Sequence, residues 1–234
     1  MALPRGRERV PRPFWRLIEL RCFDGKVVGR VCDNVHDFTV SVSHDETLIT
    51  QVTAHAARFP WTTCPAAIGR LKRLEGLPVA ARLSDSIDQT QHCTHMLDVA
   101  KLAVRHIARG GARTYTVTVQ SGEDPTTCIA AVHRDGVRVF LWRVVKNVID
   151  EPQSLRGHQT HGRADWPPAI SNDGDLHEAA MILRRSLLVF RGRRLATEAV
   201  YKASDLNYLQ GACLSFQPEF VGDAVRPENF ADLD

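Results

Sequence analysis

Apolar and polar residues alternate almost without interruption from Trp15 to Phe59, and each break in the alternation falls at a turn-forming residue. WRLIELRCFD, GKVVGRVCDN and FTVSVSHDETLITQVTAHAARF are rich in β-branched residues at every second position, with interruptions at Asp24-Gly25 and Asp45-Glu46. This pattern predicts an antiparallel meander. The period then changes. Pro65 stands where a first helical residue would, Ala67, Ile68, Leu71 and Leu74 follow at helical spacing, and Gly76 ends the run. After the loop SDSIDQTQH, Leu97, Ala100, Val104 and Ile107 mark one face of a second helix, which Gly110-Gly111 stops.

Alternation returns in TYTVTVQ, CIAAVHRD and GVRVFLWRVVKNVI, which read as strands, whereas GHQTHGRADWPPAISNDGD is a polar loop without periodicity. DLHEAAMILRRSLLVF is a third helix, opened by Asp175 and Glu178 in a capping-box-like pairing. No internal repeat is visible. The expectation is an α+β fold, an antiparallel sheet packed with helices, in one domain over 14–234 behind a flexible basic arm at 1–13.

Composition narrows the class. With 44% apolar and 24% charged residues the 234-residue chain is an ordinary globular protein. The arginine-rich start has no apolar run long enough for a signal peptide, and no stretch approaches the roughly 20 apolar residues of a membrane span. A cytoplasmic protein with no membrane partner is expected. The net charge of +3 is dispersed, densest at RGRR (191–194), so no nucleic-acid partner is expected. Six cysteines at irregular spacing, 22, 32, 64, 93, 128 and 213, favour buried thiols or metal ligands over disulfides in a reducing compartment. Serine-hydrolase, phosphate-loop and dinucleotide motifs are absent from the sequence.

The candidate chemistry gathers at two helix starts. Cys64 and Cys93 each precede a helix, where free backbone N–H groups and the helix dipole favour a thiolate. Cys93 and His95 can wrap one ion, and His36 before a strand offers another ligand. His36, Cys64, Cys93 and His95 therefore form a candidate four-ligand set for mononuclear Zn or Fe, for which mixed sulfur and nitrogen donors are suited. His95 is preferred over His92 because a spacing of two places side chains on one side of an extended segment.

Asp37 or His92, beside the ligands, would serve as general acid or base. Arg184 in ILRRS and Gln217 in SFQPEF stand among apolar neighbours and would bind a polar group of the substrate. His106, His133, His158, His161 and His177 read as core or surface residues. His177-Glu178 would solvate the first turn of its helix.

PWTTCPAAIGRLKRLEGLPV, CTHMLDVAKLAVRHIARG, DLHEAAMILRRSLLVFRGRRL and GACLSFQPEF together resemble a bacterial family known as domain of unknown function 2889, a label that carries no activity. HDFTVSVSHDETLITQVTAHAARFPWTTCPAAIGRLKRLEGLPV followed by HCTHMLDVAKLAVRHI is similar, more distantly, to the layout of NifU-type iron-sulfur scaffolds. That resemblance implies a scaffold-like half over 14–112, elaborated over 113–234 by strands and one helix. It makes Cys64 the middle cysteine, His92-Cys93 the His-Cys pair, and His36 or Asp37 the ligands ahead of the second strand.

Where the scaffolds have a third cysteine and an aspartate, this chain has His36 and Asp37, which favours one metal ion over a cluster. The expected function is a metal-dependent enzyme of lyase or hydrolase type, with the metal as Lewis acid, acting on a small, largely apolar carbon compound such as an aromatic or acyl catabolite. The alternatives are a metal or iron-sulfur carrier and a metal-free small-molecule binding module. A homo-oligomer is compatible with any of them.

Overall fold

The computed structural model describes residues 13–80, 83, 87–162, 165–195 and 201–227, and the side chains of these except at 193–195. The expected basic arm therefore lies, but for Pro13, outside the described residues. Eight strands form one antiparallel sheet: β1 (Phe14–Phe23), β2 (Lys26–Asp33), β3 (Asp37–His44), β4 (Ile49–Arg58), β5 (Ala112–Ser121), β6 (Thr127–Arg134), β7 (Val137–Val145) and β8 (Val148–Glu151). Their order is β4-β3-β2-β1-β5-β6-β7-β8. The sheet is thus two four-stranded meanders joined where β1 pairs antiparallel with β5, in the register Ile18 to Tyr115.

Each meander is followed by a long helix, α1 (Thr94–Ile107) after the first and α3 (Gly174–Leu195) after the second; the short α2 (Pro168–Ser171) precedes α3. This internal repetition of architecture is absent from the sequence, because two meanders need only share a period of two. The expected division at 112/113 falls inside β5, whose residues complete the same sheet and the same core as β1. The α+β class with an antiparallel sheet holds.

Alternation decides which face is covered. Phe14, Ile18 and Leu20 of β1, Val27 and Val31 of β2, Val40 and Val42 of β3, and Val117 and Val119 of β5 share one core with Leu97, Ala100 and Val104 of α1 and Leu183 and Leu187 of α3. α1 packs over β1–β3 and α3 over β5–β7. Gly29 permits the close approach of α1: a Cβ there would lie 2.7 Å from Val99 Cγ1 and 3.2 Å from Leu20 Cδ2.

The segment expected as a first α-helix is 3₁₀ over Cys64–Leu74. It belongs partly to a second, smaller cluster of Trp61, Cys64, Ala203, Leu206, Phe216 and Ala224. No helix among the described residues is long and apolar enough to cross a membrane.

The opening of α3 differs from the capping-box expectation. Asp173 Oδ1 accepts from the N–H groups of Asp175 and Leu176 at 2.9 Å each, so Asp173 supplies the cap. Asp175 is released to bind arginines from the sheet and α1 end, with Arg113 at 2.8 Å, Arg109 at 2.9 Å and Arg134 at 2.9 Å. Glu178 does not solvate the helix start: it is 1% exposed, accepts from Tyr115 Oη at 2.7 Å and from Arg109 Nη1 at 2.8 Å, and anchors α3 to β5.

Candidate functional site

α1 and α3 run in opposite directions across the sheet, as two ion pairs show: Asp98 near the start of α1 pairs with Arg185 at the middle of α3 at 2.7 Å, while Arg109 just beyond α1 pairs with Glu178 early in α3. Between them lies a cavity of about 450 Å³, floored by Arg16, Ile18 and Val31 of the sheet. Its α1 wall carries His95, Asp98, Lys101, Leu102 and Arg105, spaced at three or four residues so that one stripe faces the cavity. Its α3 wall carries His177, Met181, Ile182, Arg184, Arg185 and Leu188. From His95 to Arg105 the stripe is about 15 Å long at 1.5 Å per residue.

At the His95 end the polar residues are tightly organised. Arg16 is 2% exposed and Asp33 fully buried. Arg16 donates to Asp33 Oδ2 from Nε at 2.9 Å and from Nη2 at 2.6 Å. Asp33 Oδ1 accepts the N–H groups of Val35 and His36 at 2.7 Å each and lies 3.2 Å from His36 Nδ1. The Asp33 carbonyl also accepts from Arg58 Nη1. Burial alone would raise the Asp33 carboxyl, but Arg16, then His36, outweigh it and hold the group well below the usual carboxylate range.

The His36 ring stacks on that of His95 with centroids 3.9 Å apart and 25° between planes. Burial, followed by the neighbouring His36 and Arg16, drives His95 well below the ordinary imidazole range, and its Nε2 is enclosed without a hydrogen-bond partner. His95 is thus a neutral imidazole on the cavity wall. It is backed by His36, Asp33 and Arg16 in sequence.

Of the expected ligand set, His36 and His95 stack on each other, and Cys64 and Cys93 lie close enough for the charge of one to act on the other. Cys64 lies in the smaller cluster with its Sγ 3.6 Å from Ser215 Oγ, and Cys93 is buried in the main core. Neither is a favoured thiolate. Burial pushes the Cys64 thiol up to about 12 and the Cys93 thiol well above its ordinary value. Desolvation at these two sites exceeds the pull of the backbone N–H groups, which was the basis for expecting thiolates.

Among the described residues no group of three or more His, Cys, Asp or Glu side chains is placed to hold a metal ion. The donors present do not fit one ion held by all four.

Of the other expected residues, Arg184 lies on the cavity wall. Asp37 is clamped by Arg30 at 2.9 and 2.8 Å, which holds its carboxyl down, and it does not line the cavity. His92 is buried behind the α1 start, and its carbonyl accepts from Leu214 N at 3.0 Å. Gln217 donates to the Thr90 carbonyl at 2.9 Å and ties the C-terminal segment to the turn before α1 rather than facing the cavity.

Arg16 and Asp33 were missed. The period-two pattern puts both on the buried face, Arg16 between Phe14 and Ile18, and Asp33 two residues past Val31; a charged residue at an inward position was the available signal.

Four buried or half-buried imidazoles, His92, His95, His106 and His177, are held below the ordinary histidine value, in each case first by burial and then by a neighbouring group, foremost Arg73 for His92, His36 for His95, Arg113 for His106 and Arg105 for His177. The folded protein therefore binds fewer protons than the unfolded chain below about pH 6.5, the unperturbed histidine value. Their contribution is complete above that pH and is lost as the pH falls through it toward the folded values. Urea denaturation should give a stability about 2–4 kcal/mol lower at pH 5.5 than at pH 7.5, each histidine contributing up to about 1.4 kcal/mol over that interval. A flat profile would remove the neutral-imidazole account.

Residues 23–108, from the last residue of β1 to just beyond α1, match a family described as "Protein of unknown function (DUF2889)". The matched span carries Asp33, His36 and His95, whereas Arg16 and the α3 wall lie outside it. No curated protein and no solved structure matches the chain.

Proposed function

We propose that this protein is an enzyme that binds a small, largely apolar carbon compound between α1 and α3 and moves a proton with His95. The supporting observation is the neutral His95 imidazole on a cavity wall, stacked on His36 and backed by the buried Asp33–Arg16 pair. A neutral imidazole can accept a proton from a C–H or O–H group, or from water. The imidazolium that forms would lie near Asp33, whose charge opposes the effect of Arg16 on it. Returning that proton to the product completes the cycle, which suits lyase or hydrolase chemistry. The apolar lining, Ile18, Val31, Val99, Leu102, Met181 and Leu188, selects the body of the substrate.

No step is routed through Zn or Fe. As a metal or iron-sulfur carrier the protein would draw on Cys64 and Cys93, which burial holds as thiols until an ion displaces their protons. A binding module without turnover differs from the proposed enzyme only in chemistry.

The test is a panel of small acyl and aromatic compounds scored by thermal shift, followed by product analysis of every binder, with elemental analysis of the purified protein alongside. Binding with turnover supports the enzyme; binding without turnover across the panel favours the module. Stoichiometric Zn or Fe that disappears in both Cys64→Ser and Cys93→Ser would reinstate the four-ligand centre.

A further inference from the structure

Each carboxylate on the cavity wall already has an arginine. Asp98 is held by Arg185 at 2.7 Å and Glu178 by Arg109 at 2.8 Å, while the floor cation Arg16 is neutralised by Asp33. Lys101, Arg105 and Arg184 line the same space, and among the described residues none of them has a carboxylate within ion-pair distance. Arg184 is the most exacting of the three. It is 8% exposed, its Nη2 donates to the Gly162 carbonyl on the cavity rim, and its Nε is enclosed without a partner. A buried guanidinium that meets only a neutral carbonyl is expensive to desolvate, and an anion beside it recovers that expense.

Building on the enzymatic reading above, we propose that the ligand is a carboxylate with an aliphatic or aromatic body, its anionic head held by Arg184 with Lys101, and its body lying against Val99 and Leu102 of α1 and Met181 and Leu188 of α3. Arg184 directs its guanidinium to the Gly162 carbonyl, so the anionic head lies beside Gly162 in the same cavity that His95 lines. The low dielectric that disfavours charge on Arg184, first through burial and then through Arg185, strengthens its attraction for a carboxylate.

The experiment compares matched pairs by calorimetry: octanoate against octanamide, and 4-phenylbutyrate against 4-phenylbutyramide. Carboxylates should bind at least about tenfold more tightly, the scale of one charge-assisted contact. Arg184→Gln should remove most of that preference while leaving amide affinity within about twofold. Lys101→Met, on the partly open α1 wall, carries the same comparison if Arg184→Gln does not fold. Equal binding of acid and amide by the wild type overturns the anionic head and leaves the cavity reading intact. Equal weakening of both by Arg184→Gln assigns Arg184 to structure and overturns its role as anion ligand. No binding by either series overturns this inference, while a hit elsewhere in the wider panel would keep the enzymatic reading.

Discussion

Asp33→Asn should lose about 3–5 kcal/mol of folding stability, measured by urea denaturation at pH 7.5, because it leaves a buried guanidinium without its counter-charge. The carboxylate accepts two N–H bonds from Arg16 through Oδ2 and two backbone N–H bonds, from Val35 and His36, through Oδ1. An asparagine can keep its carbonyl on the two backbone donors. Its amide N–H₂ must then face the Arg16 donors, which replaces attraction by a donor-to-donor clash. Adding Arg16→Met should restore a large part of the loss, since the charge that made the vacancy costly is gone and the site is surrounded by Phe14, Ile18 and Val117. A loss below about 1 kcal/mol in the single variant would mean that water or rearrangement satisfies Arg16.

For a compound the protein turns over, His95→Gln should lower kcat by about 10²–10⁴, the span of a positioned general base. Folding stability should stay the same or rise, because His95 Nε2 makes no hydrogen bond that the substitution would break. His92→Gln distinguishes this from nonspecific damage. His92 is also buried and close in sequence, yet it does not line the cavity, so kcat should fall by less than about threefold. The acidic limb of the kcat/KM profile should also disappear in His95→Gln, as expected for a base that must be unprotonated. Retention of kcat in His95→Gln removes the proton-transfer role, and an equal loss in His92→Gln places the chemistry behind the α1 start instead.

The order and type of most elements were legible in the chain. Period-two alternation located seven of the strands, and the Leu97, Ala100, Val104, Ile107 spacing located α1, because burial on one face leaves a direct mark on residue order. The proximity of His36 and His95 was also anticipated, though for metal binding and not as a stacked pair. Capping was misread at α3, since Asp173 and Asp175 are chemically equivalent and only the backbone path determines which oxygen meets the free N–H groups.

The sequence by itself determined a two-period sheet and the helical segments. Tertiary structure decided the rest. Whether Cys64 and Cys93 are thiolates depends on burial, which here outweighs the helix start. Whether Arg184 meets solvent, a carboxylate or an open cavity depends on the antiparallel placement of α1 and α3, elements about eighty residues apart whose pairing comes from Asp98–Arg185 and Arg109–Glu178. Residue order records which face of an element is buried, whereas charge compensation across a cavity depends on distances between elements, and those arise only when the two halves close over one sheet.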